Sequence, residues 1–264
     1  MTAALLAVAT ASAANASQPP TGDQHAGAGL SFVEYMRANP GDWEGAAALV
    51  ESYGGSINIS DGTGRSVTPD EAADLSNRLP SGVAGPLDWP ANAFTTLVSV
   101  VDLGSFDPNT VQIYGEWNWR DDFIGQGSPE DIASLQLNKN CGTYSNYFGS
   151  AATWNGFFTT DRLSLRSGGT GTAGPVWNVY DQVSNFENLT DRGMLGVDYD
   201  ISSCPANVKE SLQAETLFEG NDGGTVVSVS IAWGLINIGY NSPGFSQTRS
   251  SGAASVGEVS GTGW

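Results

Sequence analysis

Residues 111–122 read VQIYGEWNWRDD, and their alternation decides the fold class. In an extended strand successive side chains point to opposite faces of the sheet. Val111, Ile113, Gly115, Trp117 and Trp119 then share one face, which reads as core. Gln112, Tyr114, Glu116, Asn118 and Arg120 share the other, a polar strip in a chain where only 14% of residues are charged. Aromatic rings stack on the apolar faces of sugar rings, while amides and carboxylates take hydroxyls. Tyr114, Glu116, Asn118 and Arg120, with Trp119 beside them, are therefore the candidate binding residues. A solvated outer sheet face would show the same alternation.

The pattern recurs outward from this strand. Residues 94–101 are rich in β-formers, and residues 195–201 alternate Leu195, Val197, Tyr199 and Ile201 with Gly196, Asp198 and Asp200. Residues 212–218 and 225–233 flank Asn221-Asp222-Gly223-Gly224, a strong hairpin-turn signal. Ile236, Ile238 and Tyr240 extend the alternation. Thirty-four glycines punctuate these runs. Short strands between Gly-rich turns predict a mainly β chain, an antiparallel β-sandwich or jelly-roll-like domain over residues 91–249.

Residues 30–90 have a different character. Residues 30–38 (LSFVEYMRA) predict a short helix ending before Asn39-Pro40, and residues 45–52 a second. Thr68-Pro69-Asp70-Glu71 combines an N-cap, a proline at the first helical position and acids in the first turn, predicting a helix over 69–78. The same logic at Ser128-Pro129-Glu130-Asp131 predicts one over 129–135. This gives a small, partly helical N-terminal region ahead of the sandwich.

The ends are read from composition. Residues 3–9 form an apolar run too short to cross a bilayer, followed by Ala11-Ser12-Ala13 and Ala14-Asn15-Ala16, which fit a signal-peptidase site. Residues 1–16 are thus expected to be a signal peptide, although no Lys or Arg precedes Arg37. Residues 17–29 (SQPPTGDQHAGAG) read as a linker, and the Gly/Ser-rich residues 250–264 as a disordered tail. Cys141 and Cys204 are the only cysteines, and in an oxidising compartment they are expected to pair. The chain is placed outside the cell on these grounds.

Charge narrows the partners. With 28 acidic and 10 basic residues the formal net charge is −18, which argues against nucleic acid and against anionic membrane surfaces. No stable membrane span is expected. His25 is the only histidine and no Cys-x-x-Cys occurs, so neither a zinc site nor a histidine-based catalytic triad is expected in the folded region. No metal site and no cofactor is expected. Asp61-Gly62-Thr63-Gly64 offers oxygens in a turn, and residues 168–174 (GGTGTAG) resemble a phosphate loop without its lysine or its β-α setting.

Three functional classes follow, with no motif for a specific reaction. The leading one is a secreted binding or surface-interaction module, with an extracellular glycan or a cell-surface component as partner. The second is a polysaccharide hydrolase using paired carboxylates from Glu116, Asp121, Asp122, Asp198, Asp200, Glu215 and Glu219. The third is a pore-forming protein inserting the amphipathic hairpin at residues 226–240.

Overall fold

The computed structural model describes residues 29–77, 94–119, 131–153, 156–166, 174–180, 183–184, 187–188, 191–221, 226–232, 235–240, 246–250 and 254–255. Side chains are described through residue 219, apart from 181–190. The expected signal peptide and linker, the loop at 168–173, and Arg120, Asp121 and Asp122 lie outside the described residues.

In chain order the elements are α1 (Phe32–Ala38), α2 (Trp43–Ser52), β1 (Ser56–Asp61), β2 (Ser66–Val67), α3 (Pro69–Asn77), β3 (Phe94–Asp102), β4 (Thr110–Trp119), β5 (Asp131–Leu137), β6 (Thr143–Ala152) and β7 (Leu163–Leu165). There follow β8 (Val176–Val179), β9 (Val183–Ser184), β10 (Glu187–Asn188), β11 (Arg192–Asp200), β12 (Gln213–Asn221), β13 (Val226–Ala232), β14 (Leu235–Tyr240), β15 (Ser246–Ser250) and β16 (Ala254–Ser255). One sheet has the order β2-β1-β3-β4-β11-β6 and a second the order β15-β12-β5-β8-β7, with β16 also on β12. All their pairings are antiparallel.

The two sheets pack face to face as a β-sandwich. Val111, Ile113, Trp117 and Trp119 of β4 enter a core with Leu135, Trp177 and Phe218 of the opposite sheet. Phe218 stands 5.3 Å from Trp117 and 5.6 Å from Trp119, ring centre to ring centre. The apolar face read from the sequence is therefore the sandwich interior.

The three helices form a further layer on the other face of the first sheet. Leu97, Val101, Tyr114 and Met194 meet Phe32, Met36, Trp43 and Val50 there. Each helix starts as its sequence dictates. Ser31 accepts from the Glu34 amide while the Glu34 carboxylate accepts from the Ser31 amide, and Thr68 and Glu71 repeat that reciprocal cap. The buried Phe32, Val33, Tyr35 and Met36 form the one apolar stripe that a two-turn helix offers.

The partly helical character expected of residues 30–90 holds for its described residues, which carry the three helices and also β1, paired with β3 along its whole length. The structure departs from other sequence expectations. The helix expected over 129–135 is replaced by β5, which pairs with β12 on one side and β8 on the other. Ala133, Leu135 and Leu137 then enter the core, a gain from tertiary burial that outweighs a local capping signal. The hairpin expected across Asn221–Gly224 does not form among the described pairings. β12 lies between β5 and the pair β15 and β16, whereas β13 pairs with β14. Ala254 and Ser255, in the expected disordered tail, pair with Ala214 and Gln213.

A disulfide joins Cys141 to Cys204 with Cα atoms 5.1 Å apart. Its cysteines flank the end of the β6–β11 ladder, where Thr143 faces Asp200. The Tyr199 hydroxyl accepts from the Gly142 amide at 2.7 Å and donates to the Lys139 carbonyl at 3.1 Å.

Candidate binding groove

The polar strip of β4 is not open to solvent. Tyr114 and Trp119 are buried in the two apolar clusters, and Glu116 and Asn118 are about as inaccessible. The helical layer covers the strip, and its polar atoms hold that layer. The Gln112 carboxamide accepts from the Val33 amide at 3.1 Å, satisfying one of the free donors at the start of α1. Its nitrogen donates to Asp198 at 2.6 Å, and Asn146 donates to the other Asp198 oxygen at 2.6 Å.

One register step along, Tyr114 donates to Glu116 at 2.7 Å. The Ser76 hydroxyl of α3 donates to the second Glu116 oxygen and accepts from the Trp43 indole at 2.7 Å. Burial raises the Glu116 carboxyl above the ordinary range, against the lowering effect of Ser76, Tyr114 and the nearby Arg192 guanidinium. Glu116 is thus the centre of a satisfied polar network between sheet and helices.

The other carboxylates named from the sequence are dispersed. Asp198 is held by Gln112 and Asn146, and Asp200 accepts from the Ser202 amide at 2.8 Å in the following turn. Glu215 and Glu219 sit on β12 in the second sheet, where burial raises the Glu215 carboxyl. The Asp61 carboxylate is taken up by its own turn, accepting from Thr63 and Arg65. Among the described residues no group of three acidic, histidine or cysteine side chains is placed to hold a metal ion.

A different place in the fold combines exposed aromatic, hydroxyl and charged groups. β6 is the edge strand of the first sheet, and the chain after it folds back. Ala151 and Thr159 exchange backbone hydrogen bonds at 2.9 Å, and Ser150 donates to the Thr159 carbonyl at 2.9 Å. This return leaves two adjoining hollows of about 420 and 430 Å³, within the range of small-ligand sites. Arg37, Phe148 and Thr160 line both.

The first hollow is completed by Ser150, Thr159 and Asp161 with Phe158 as its apolar wall. The second is completed by Tyr147, Leu163, Leu165 and Trp177, and by Gly149. A methyl at Gly149 would press on Trp177 and Leu163, so the glycine lets the indole edge approach the strand. Arg37 lies over the Phe148 ring at 5.1 Å, and Arg192 over the Phe158 ring at 5.3 Å. Phe157, the neighbour of Phe158, is 94% exposed. Arg37 makes no ion pair with a described residue.

The groove and the β4 strip are connected. Arg192, stacked on Phe158, donates to the Ser76 carbonyl at 3.4 Å, and Ser76 caps Glu116. The groove's residues come from α1, β6 and the return after it, so no single stretch of sequence displays it. The one local signal was residues 156–161, GFFTTD, two aromatics followed by two hydroxyls and an acid in a segment without strand alternation.

No protein-family model matches the chain, and no curated protein does. A solved structure described as "pH-induced modulation of Streptococcus parasanguinis adhesion by Fap1 fimbriae" is similar over 60% of this chain and 78% of that one. At 13% identity and a TM-score of 0.29, that likeness carries neither fold nor function to this chain. No described helix is long and apolar enough to cross a membrane.

Proposed function

We propose that the chain is an extracellular binding or surface-interaction module that takes carbohydrate in the groove beside β6. One observation carries this reading. The exposed Tyr147 ring and the half-buried Phe158, the Thr160 hydroxyl, the Arg37 guanidinium and the Asp161 carboxylate line the adjoining hollows at one sheet edge. Sugars present apolar C–H faces and hydroxyl edges, so a receptor needs both kinds of surface within one residue's reach. The disulfide supports an oxidising compartment, where such bonds persist. The net charge of −18 suits solubility outside the cell. On this reading the buried β4 residues act from behind, with Glu116 and Ser76 positioning Arg192 and through it Phe158.

A glycan array probed with wild type, Tyr147→Ala and Asp161→Ala tests the proposal. Both residues are exposed, so neither change should disturb folding, which circular dichroism verifies. Each variant is expected to lose at least tenfold in binding to the glycans that wild type retains. Unaltered binding in both, or no glycan retained by wild type, removes the case.

A further inference from the structure

Asn146, on the exposed part of β6, has a φ of 51° and is the one non-glycine residue with a positive φ among those described. A side chain costs energy in this left-handed region, and asparagine tolerates it better than most. We infer that Asn146 is a positioning residue for the groove, whose left-handed backbone turns Tyr147 onto the second hollow. The inference rests on the carbohydrate reading above and deepens it by assigning a role to a residue that lines neither hollow.

The pairing of β6 with β11 shows what the conformation does. Ser145 faces Asp198 and Phe148 faces Gly196, so Asn146 and Tyr147 together stand opposite Val197 alone. This is a β-bulge, an extra residue in the edge strand. In an unbroken strand side chains alternate, and residues 144 and 147 would lie on opposite faces. The extra residue brings them to the same face. Tyr144 packs on Tyr199 at the sandwich interior, ring centres 4.8 Å apart. Tyr147 lies on that side at the rim, lining the second hollow with Leu163, Leu165 and Trp177 of the opposite sheet. Phe148 keeps the helix side, in the cluster with Val33 and Met36. Without the bulge, either Tyr144 would leave the core or Tyr147 and Phe148 would exchange faces.

A row of hydrogen bonds holds the bulge in place. The Asn146 carboxamide donates to Asp198, Gln112 donates to the other Asp198 oxygen, and Gln112 accepts from the Val33 amide. The row crosses β6, β11 and β4 and ends on α1, one turn before Arg37. It therefore ties together the two elements that bring Tyr147 and Arg37 to the groove. The Tyr147 hydroxyl donates to the Tyr144 carbonyl at 3.1 Å, so what Tyr147 offers a ligand is its ring. A tyrosine ring held at one angle gives a sugar face a large contact at small entropic cost.

Asn146→Val and Asn146→Gly separate backbone from side chain. Both remove the bond to Asp198, but only glycine adopts the left-handed backbone freely. Wild type and both variants are compared on the glycan array, and by the Tyr147 ring resonances in NMR spectra recorded without glycan. Asn146→Val is expected to move those resonances and to lose about tenfold in binding, as Tyr147→Ala does. Asn146→Gly is expected to keep the resonances and to bind within about threefold of wild type. Asn146→Ala, with a smaller penalty for this backbone, gives the same comparison if the valine variant does not fold. Unaltered binding or unaltered Tyr147 resonances in Asn146→Val overturn the inference and leave the carbohydrate reading standing. So does a loss in Asn146→Gly as large as in Asn146→Val. Absence of wild-type binding to every printed glycan overturns both.

Discussion

Ser76, near the end of α3, donates its hydroxyl proton to Glu116 in the middle of β4, across the seam between the helical layer and the first sheet. The same hydroxyl accepts from Trp43, and Glu116 also accepts from Tyr114. Removing the carboxyl leaves two buried hydroxyls without their acceptor, each costing about 1–3 kcal/mol. Glu116→Ala is therefore expected to destabilise by roughly 2–6 kcal/mol in urea unfolding. A loss below about 1 kcal/mol would mean that the network does not hold the layers together.

The same carboxyl sets a pH dependence. Burial raises the pKa of this carboxyl in the folded protein, so the folded state holds its proton more tightly than the unfolded chain does. Its favourable contribution is fully present below about pH 4.5, the ordinary carboxyl value, and is lost as pH rises through the folded value. Glu116→Gln removes that loss; its amide oxygen keeps one of the two acceptors and its NH2 group replaces the other with a donor, a cost that does not vary with pH. Stability of this variant relative to wild type should therefore rise as pH increases above about 4.5 and level off once pH passes the folded value. Carboxylates held low elsewhere, such as Asp61 and Asp200, cancel in the difference. A difference that is flat across the range contradicts this assignment.

Gln112 makes a narrower prediction. It supplies the acceptor for the Val33 amide, which as a first-turn donor has no partner within its own helix. In Gln112→Ala the Val33 amide should exchange with solvent roughly tenfold faster, corresponding to about 1.4 kcal/mol of local protection. Hydrogen exchange read by residue verifies it. Unchanged exchange at Val33 would show that the helix is held by packing alone.

Gly193 faces Trp117 directly across the β4–β11 ladder, and a methyl there would run into the indole ring. Trp117 is fully buried between the sheets and has no room to yield. Gly193→Ala is expected to cost about 1–3 kcal/mol and to shift the tryptophan emission of the folded state. A neutral outcome would argue against the sheet-to-sheet packing described here.

The Cys141–Cys204 bond closes a loop with a sequence separation of 63 residues. A loop of that length restricts the unfolded chain by an amount equivalent to about 4 kcal/mol in the chain-entropy view. The double variant Cys141→Ala, Cys204→Ala should lose most of this stability, and denaturant midpoints measure it.

What could be read from the sequence followed from local chemistry. The alternation over 111–119 gave a strand and sorted its two faces, and the reciprocal Thr68–Glu71 cap marked the start of α3. Alternation cannot say what covers the polar face. Gln112, Tyr114 and Glu116 look the same in sequence whether they meet water or a layer of helices. Pairing partners were equally hidden. β12 joins β5, which lies far earlier in the chain, and neither the turn signal at Asn221–Gly224 nor the cap at Ser128 carries that information. The groove was hidden for the same reason, since Arg37, Phe148 and Asp161 become neighbours only through the fold.

The most direct test of the carbohydrate reading is residue-resolved NMR of the isotopically labelled chain, titrated with the glycan that ranks highest on the array. Saturable shifts are expected at residues 147–150 and 156–165 and at Arg37, with smaller shifts at Arg192 and Ser76 behind them. Shifts confined to another surface, or none at millimolar glycan, would contradict it.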